Sequence, residues 1–228
     1  MTSSPIFVIV PVYNEAPVIE QTLKDLLQYD YNIIMVDDGS TDEIDKVVKN
    51  HSLTLLKHAV NLGQGASLQT GMEFAKKSNA EIIVHFDGDG QHKAADIRKL
   101  IEPIIKDECD IVFGSRFLKK KSKQNIPFVR KIILQLARYM NWIYTGILLS
   151  DAHNGLRALN KKAMNEIIIS ENKMAHASEI LYLTKKNNLR FKEIPVTITY
   201  TDYSKKKGQG IMNSINILFH LIAKKIDS

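Results

Sequence analysis

Short β-branched runs alternate with stretches of helical period along the first half of the chain. The runs fall at residues 6–12, 32–36, 53–57, 81–86 and 110–113, and the helical stretches at 16–27, 43–49, 65–77 and 94–106. Strand and helix in strict alternation predict βαβ units, right-handed crossovers and a mostly parallel sheet. The runs are apolar on both faces, as strands covered by helices on both sides should be. The second half is less regular. Residues 126–149 predict a long helix, with Ile132, Leu136, Tyr139, Met140 and Ile143 in one stripe. A short strand at 156–159, helices at 161–169 and 177–186, and an extended segment at 191–200 follow, with Pro195 placing part of the last on a sheet edge. Residues 119–125 read as a mobile loop and 210–226 as a final helix, with Ile211, Ile215, Leu218, Ile222 and Ile226 at helical spacing.

In such sheets ligands bind where strands deliver the chain into loops at their carboxyl ends. Those ends carry residues 11–15, 37–42 and 87–92; each is polar, and the last two are rich in carboxylates and glycine. The acids therefore converge on one edge of the sheet.

Composition narrows the class. The chain has 228 residues, 44% of them hydrophobic and 25% charged, which fits a globular protein and excludes a disordered or fibrous one. One cysteine, Cys109, excludes a disulfide framework and a zinc site built on several thiolates, and suits the reducing cytoplasm. No run approaches the ~20 apolar residues of a membrane span, and the opening Met1-Thr2-Ser3-Ser4-Pro5 lacks the basic region of a signal peptide. The 31 Lys+Arg exceed the 25 Asp+Glu by six, largely through lysine clusters such as 119–123, 205–207 and 224–225. Such clusters suit phosphates or an anionic membrane face. A nucleic-acid module would interleave them with aromatics, which these runs mostly lack, so nucleic acid is not an expected partner.

Asp87-Gly88-Asp89-Gly90-Gln91-His92 follows an apolar run. Two carboxylates two residues apart can face one oxygen-rich pocket where glycines let the chain turn. Magnesium commonly takes few carboxylates and shares them with substrate phosphates. The competing reading is an acidic turn capping the next helix. Asp37-Asp38-Gly39-Ser40-Thr41-Asp42 is a second acidic strand end; Ser40 or Thr41 could cap a helix, whereas Asp37 and Asp38 are placed to accept hydrogen bonds from a base or ribose. Asn61-Leu62-Gly63-Gln64-Gly65 is a glycine-rich entry to a helix. Leu68 breaks the G-x-G-x-x-G dinucleotide pattern and no P-loop lysine is present, which disfavours a nicotinamide enzyme.

Together with Pro11-Val12-Tyr13-Asn14-Glu15 and Gly114-Ser115-Arg116-Phe117, these motifs occur in the order and spacing of family 2 glycosyltransferases. The chain most resembles the branch of dolichyl- and polyprenyl-phosphate sugar synthases, strongly over residues 5–117 and more weakly to about residue 200. The resemblance implies a GT-A fold, a Rossmann-like, mostly parallel α/β sheet flanked by helices, and inverting transfer from a nucleotide-diphosphate sugar. It implies one domain over 1–204, with a nucleotide-sugar and metal half (1–117) and an acceptor half (118–204), followed by a basic turn and amphipathic helix at 205–228. By position, Pro11, Tyr13, Glu15 and Asp37 would line the nucleotide site, joined by Asp38, Gly65 and Asp87. Asp87, Asp89 and Gln91 match the family's metal-binding D-x-D-x-Q and would hold Mg2+ or Mn2+ on the donor diphosphate. Arg116 matches the arginine near the reacting phosphates, and Arg130 a second arginine used for the lipid phosphate, so the catalytic set is Asp89, Arg116 and Arg130. Arg157, in the looser match Asp151-Ala152-His153-Asn154-Gly155-Leu156-Arg157, and Lys131 are further acceptor candidates. Lys205 is placed to supply the charge of an arginine that the synthases carry after Glu193-Ile194-Pro195 and that is missing here.

A lipid monophosphate, with a second pKa of ~6, is already a nucleophile near neutrality and requires cations, not a base. A hydroxyl of a cell-surface glycan precursor, the alternative acceptor, requires a general base, for which Glu179 is the best candidate. A nucleotidyltransferase is more remote, because Tyr13-Asn14-Glu15 stands where a glycine-rich loop would be. The expected setting is the cytoplasmic face of the cell membrane, reached by the final helix or through a small membrane-protein partner.

Overall fold

The computed structural model describes residues 5–118, 138–139, 141–152 and 154–199. The loop at 119–125, most of the helix at 126–149 and the C-terminal helix expected above lie outside the described residues. So do Arg130, Lys131, His153 and Lys205.

Within the described residues the alternation holds. Strand β1 (Ile6–Val12) leads to α1 (Ala16–Leu26), β2 (Asn32–Asp37) to α2 (Ile44–Val48), and β3 (Thr54–Lys57) to α3 (Gln64–Lys77). Strand β4 (Ile82–His85) passes through a 3-10 turn (Ala94–Asp96) into α4 (Ile97–Ile105), and β5 (Ile111–Ser115) follows. Strand β6 (Arg157–Asn160), α5 (Lys161–Glu166), α6 (His176–Lys186) and β7 (Phe191–Pro195) complete the order. The seven strands form one sheet, β3-β2-β1-β4-β6-β5-β7. All the strand pairs are parallel except those of β6, which runs antiparallel between β4 and β5.

Alternation along each strand divides the core. Val8, Val10 and Val12 of β1 pack with Ile19 and Leu23 of α1 and Leu100 of α4 on one face. Phe7 and Ile9 pack with Leu68 and Met72 of α3 and Ile180 and Leu181 of α6 on the other. Both faces of the sheet are thus covered and the inner strands are buried on both sides, whereas the edge strands β3 and β7 stay partly exposed.

The later boundaries shift for local reasons. The helix reaching 149 by periodicity is helical at 141–145 and stops at Gly146, whose φ of 73° and N–H bonded to the Trp142 carbonyl make a left-handed cap. Asn160 caps α5 by accepting from the Ala163 N–H at 2.8 Å. That helix ends at Glu166, because Ile167 turns extended and, with Ile169, enters the core. Strand β7 lies on the edge, with Pro195 beside Ser115, where a missing N–H is tolerated.

Strands β1, β2, β4 and β5 all point their carboxyl ends to one edge. From β1 the order runs outward through β2 and β3 on one side and through β4 on the other, so a crevice opens between the loops after β1 and β4.

Candidate active site

The first two strand ends are laced together. Asn14, at φ 54°, donates its backbone N–H to Ser40 Oγ at 3.0 Å, and its Oδ1 accepts from the Thr41 N–H at 2.9 Å. Asp42 Oδ2 accepts from the Ala16 N–H at 2.8 Å and so caps α1 from the neighbouring loop. Asp37 is buried and accepts from the Ser40 N–H at 2.9 Å. Tyr13 stands exposed at the rim, Glu15 is buried below it, and Pro11 is buried inside β1.

Asp38 departs from the nucleotide-contact expectation. Its carboxylate accepts from the N–H groups of Leu62 and Gly63 at 2.9 and 2.7 Å and pairs with His58 Nδ1 at 2.7 Å. His58 in turn reaches Thr70 Oγ1 at 2.9 Å. This buried acid shapes the glycine-rich loop, and its oxygens are engaged by the protein itself. Gly65 serves packing: a Cβ there would lie 2.0 Å from the Glu171 carbonyl oxygen, so only glycine lets residues 171–172 lie on the start of α3.

The metal motif follows β4. Asp87 Oδ1 accepts from Gln64 Nε2 at 2.7 Å, and Oδ2 lies 3.0 Å from His92 Nε2. Gly155, opposite it on the approach to β6, has no room for a side chain; a Cβ would fall 2.0 Å from Asp87 Oδ2. Burial alone would raise the Asp87 carboxyl, but the His92 bond and the fields of His92, Arg157 and His176 hold it below its usual range. Asp89 behaves oppositely: burial and the Asp87 charge push it up, although Gln91 donates to both of its oxygens. Two hard carboxylates with an amide oxygen nearby, one acid raised by the charge of the other, are a donor set that a divalent cation would relieve. Among the described residues no group of three or more His, Cys, Asp or Glu forms a complete cage. The set therefore fits magnesium or manganese completed by substrate phosphate oxygens.

Beside the motif lies a cavity of about 130 Å³, lined by Asp87, Gln91, His92, Arg116, Asn154, Gly155 and Ile198. Its far wall is the segment after β7, tied down by Thr197 N–H to Asp96 Oδ2 at 2.7 Å and Thr199 N–H to the Gln91 carbonyl at 2.9 Å. Arg116 enters from the end of β5. Its Nε and Nη2 donate to the two carboxylate oxygens of Asp151 at 2.7 and 2.8 Å, and its carbon centre lies 5.3 Å from the Phe117 ring centroid. Asp151 is buried; its burial is outweighed by Arg116, which holds it below the usual carboxylate range. The neighbouring Ser150 is fixed by Glu193 of β7, which accepts from its N–H and its hydroxyl at 2.8 and 2.6 Å. The position of Arg116 is thus set through Asp151, and that of the adjoining Ser150 through Glu193. In the sequence both are only motif letters; their pairing with Arg116 and Ser150 depends on β5 lying between β6 and β7.

Two further candidates lie away from the cavity. Arg157 was expected at an acceptor phosphate, but it is 1% exposed within β6 and does not line the cavity. Glu179 was expected as a base for a hydroxyl acceptor. Its carboxylate instead accepts from the N–H groups of Ser170 and Glu171 at 3.1 and 2.9 Å and from the Ser170 hydroxyl. It pins the loop before α6 and is not presented to the cavity.

A mostly parallel sheet with an acidic, metal-fitting loop after β4 and an anchored arginine after β5 defines a GT-A-type glycosyltransferase. The model of glycosyl transferase family 2 matches residues 7–168, and the chain belongs to that family. Over 248 aligned residues it is 34% identical to the UDP-N-acetylglucosamine–dolichyl-phosphate N-acetylglucosaminyltransferase of Methanococcus voltae, covering 99% of this chain and 98% of that one. It is 24% identical to the undecaprenyl-phosphate mannosyltransferase of Micrococcus luteus, covering 90% and 88%. Among solved structures it is similar in fold, at a TM-score of 0.67 and 15% identity, to glucosyl-3-phosphoglycerate synthase from Mycobacterium tuberculosis in complex with Mn2+, UDP and glucosyl-3-phosphoglycerate; the match covers 96% of this chain and 80% of that one.

Proposed function

We propose that this enzyme transfers a sugar, with inversion, from a nucleotide-diphosphate sugar to a polyprenyl phosphate at the cytoplasmic face of a membrane. The observation that carries the reading is the cavity beside Asp87. It brings the Arg116 guanidinium beside the metal-fitting acids, and among the described residues lining it the one carboxylate, Asp87, is engaged by Gln64 and His92. With Glu179 committed to its loop, a phosphate acceptor suits the site better than a hydroxyl, because a phosphate requires positioning and not deprotonation.

Asp87, Asp89 and Gln91 would hold Mg2+ or Mn2+ on the donor diphosphate. Bound there, the cation would neutralise the charge that develops on the leaving diphosphate. Gln64 and His92 orient Asp87 for that purpose, and Gln91 orients Asp89. Tyr13, Glu15 and Asp37 frame the nucleotide. Arg116, kept rigid by Asp151, presents its guanidinium to the acceptor phosphate, with Arg130, Lys131 and Lys205 proposed as further phosphate contacts. The relative named for UDP-N-acetylglucosamine and dolichyl phosphate makes that donor the first to test.

Membrane contact has its own support. Tyr139, Trp142 and Ile143, at i, i+3 and i+4, are 49%, 45% and 72% exposed in a stretch helical at 138–139 and 141–145. Leu148, also exposed, lies three residues before Asp151. No helix among the described residues is long and apolar enough to cross a membrane, so interfacial contact by such side chains is the proposed route to a lipid substrate. Incubating the protein with UDP- and GDP-sugars and polyprenyl phosphate, with and without chelator, tests the whole reading. Labelled sugar should enter the organic phase from one donor and stop with chelator. Transfer only to a water-soluble glycan would overturn it.

A further inference from the structure

Behind the metal motif, on the α3 and α6 face of the sheet, lies a buried positive charge that the reaction outlined above does not use. Arg157 is among the largest side chains buried to under 2% exposure. No described residue bonds its Nε or Nη1, and none bonds either ring nitrogen of buried His85. The two are direct partners in the antiparallel ladder of β4 and β6. Continued two residues further, the same register sets Gly155 opposite Asp87, so His85, Arg157 and Asp87 share one face. With no side chain at position 155, nothing from β6 separates the Asp87 carboxylate from that interior.

A buried guanidinium with unbonded nitrogens is costly unless a nearby opposite charge offsets it. Stability does not require it here, since an apolar residue on this face would join the surrounding core without that penalty. The charges that favour it are the carboxylates of Asp87 and Asp151. One belongs to the metal motif and the other to the anchor of Arg116.

We infer that Arg157 is a positioning residue: a fixed buried countercharge behind Asp87 that limits how tightly the Asp87–Asp89 pair grips a divalent cation. The inference rests on the reading that these carboxylates hold the cation on the donor diphosphate. Its logic is Coulombic. A positive charge behind a carboxylate holds that group in place, and it also repels a cation arriving in front. The site is thereby ready for a metal that comes with the donor and does not retain it once the sugar has left. A second-layer charge of this kind tunes a metal centre without touching the metal.

The test is a titration of the full-length protein with Mn2+, in the presence and absence of UDP, with free Mn2+ read by its paramagnetic resonance signal. Wild type, Arg157→Met and Arg157→Gln are compared, each with its melting temperature. Both variants should bind Mn2+ more tightly, by roughly three- to tenfold. The Met variant should melt no lower than wild type, because an incompletely paired buried charge has been replaced by an apolar chain. In turnover, half-maximal activation should shift to lower Mn2+ while kcat falls, as release of the metal with the diphosphate slows. If wild type binds Mn2+ with UDP but both variants bind it equally or more weakly, this inference fails and the metal reading stands. If wild type shows no saturable Mn2+ binding with UDP, the metal reading fails and takes the inference with it. Failure of both variants to fold would assign Arg157 a structural role and overturn the inference.

Discussion

Two aspartates with arginine neighbours, buried Asp110 and half-buried Asp87, mark opposite ends of the sheet, and they are built differently. At the amino end of β5, Asp110 accepts from the Arg190 N–H at 2.8 Å, from Arg190 Nη2 at 3.0 Å and from Asn160 Nδ2 at 3.1 Å, with Lys162 Nζ at 3.4 Å. Arg190 also grips Asp107. At the carboxyl end, Asp87 is oriented by Gln64 and His92 and has Arg157 behind it as a charge without a matching set of hydrogen bonds. The first cluster is saturated and knots β5, β6 and β7 together. The second leaves electrostatic demand unmet, as a site that must bind and release charged ligands does. Stability and chemistry are therefore assigned to opposite edges of one sheet.

Breaking the two ends should have opposite signatures. Asp89→Ala is expected to lower transfer by roughly a thousandfold or more, the scale of losing a charge-stabilising group in the reaction, while its melting temperature stays near that of wild type. Full activity in a membrane-based transfer assay would sink the assignment of the motif. Asp110→Ala should do the reverse. Arg190 and Lys162 stay half exposed to water, so the loss is that of charge-assisted hydrogen bonds and should cost about 2 kcal/mol in denaturant unfolding, with turnover per folded molecule unchanged. Arg116→Ala should raise the KM for polyprenyl phosphate by about ten- to a hundredfold and leave the donor KM in place, and it should also lower the melting temperature, because buried Asp151 loses its partner. A raised donor KM instead would move Arg116 to the nucleotide side.

How far the sequence could be read follows the same division. The strand ends were legible because apolar runs stop abruptly at Asp37 and Asp87, and because glycines follow each. The β1–β4 elements needed only local periodicity. What escaped was which charges face a ligand and which face the protein. Asp38 follows Asp37 in the chain, yet its partners, Leu62 and Gly63, lie 24 and 25 residues on. Arg157 is an acceptor candidate by sequence because arginines bind phosphate and its segment resembles the family's; only the antiparallel register with β4 turns it into the core beside His85. Asp151 and Glu193 find their partners because β5 lies between β6 and β7, an order that no spacing along the chain encodes.

Acidity separates the two ends more gently. Burial alone would raise the Asp110 carboxyl, but the Arg190 side-chain and backbone bonds, with Asn160 and Lys162, depress it far below the usual range. A depressed folded-state carboxyl adds stability that is complete above its unfolded pKa, near 4, and is lost as pH falls below that toward the folded value. Melting temperature should therefore fall progressively as pH drops below about 4, and Asp110→Asn should flatten that fall. An equally steep decline in Asp110→Asn would place the acid sensitivity elsewhere.

The smallest expected effect discriminates most sharply between acceptors. Glu179→Gln keeps one oxygen to accept from the Ser170 and Glu171 amides and loses only the charge assistance, so it should cost about 1 kcal/mol of stability. Because a phosphate acceptor requires no base, turnover with polyprenyl phosphate should stay within a factor of about two of wild type. Glu179 lies on the same side of the fold as the glycine-rich loop, whose Gly63 and Gly65 pack against residues 171–172. A modest rise in the donor KM would reflect that loop loosening and leave the reading intact. Abolished turnover with donor binding preserved would instead mean that Glu179 leaves its loop to act as a base, and the acceptor would then be a hydroxyl.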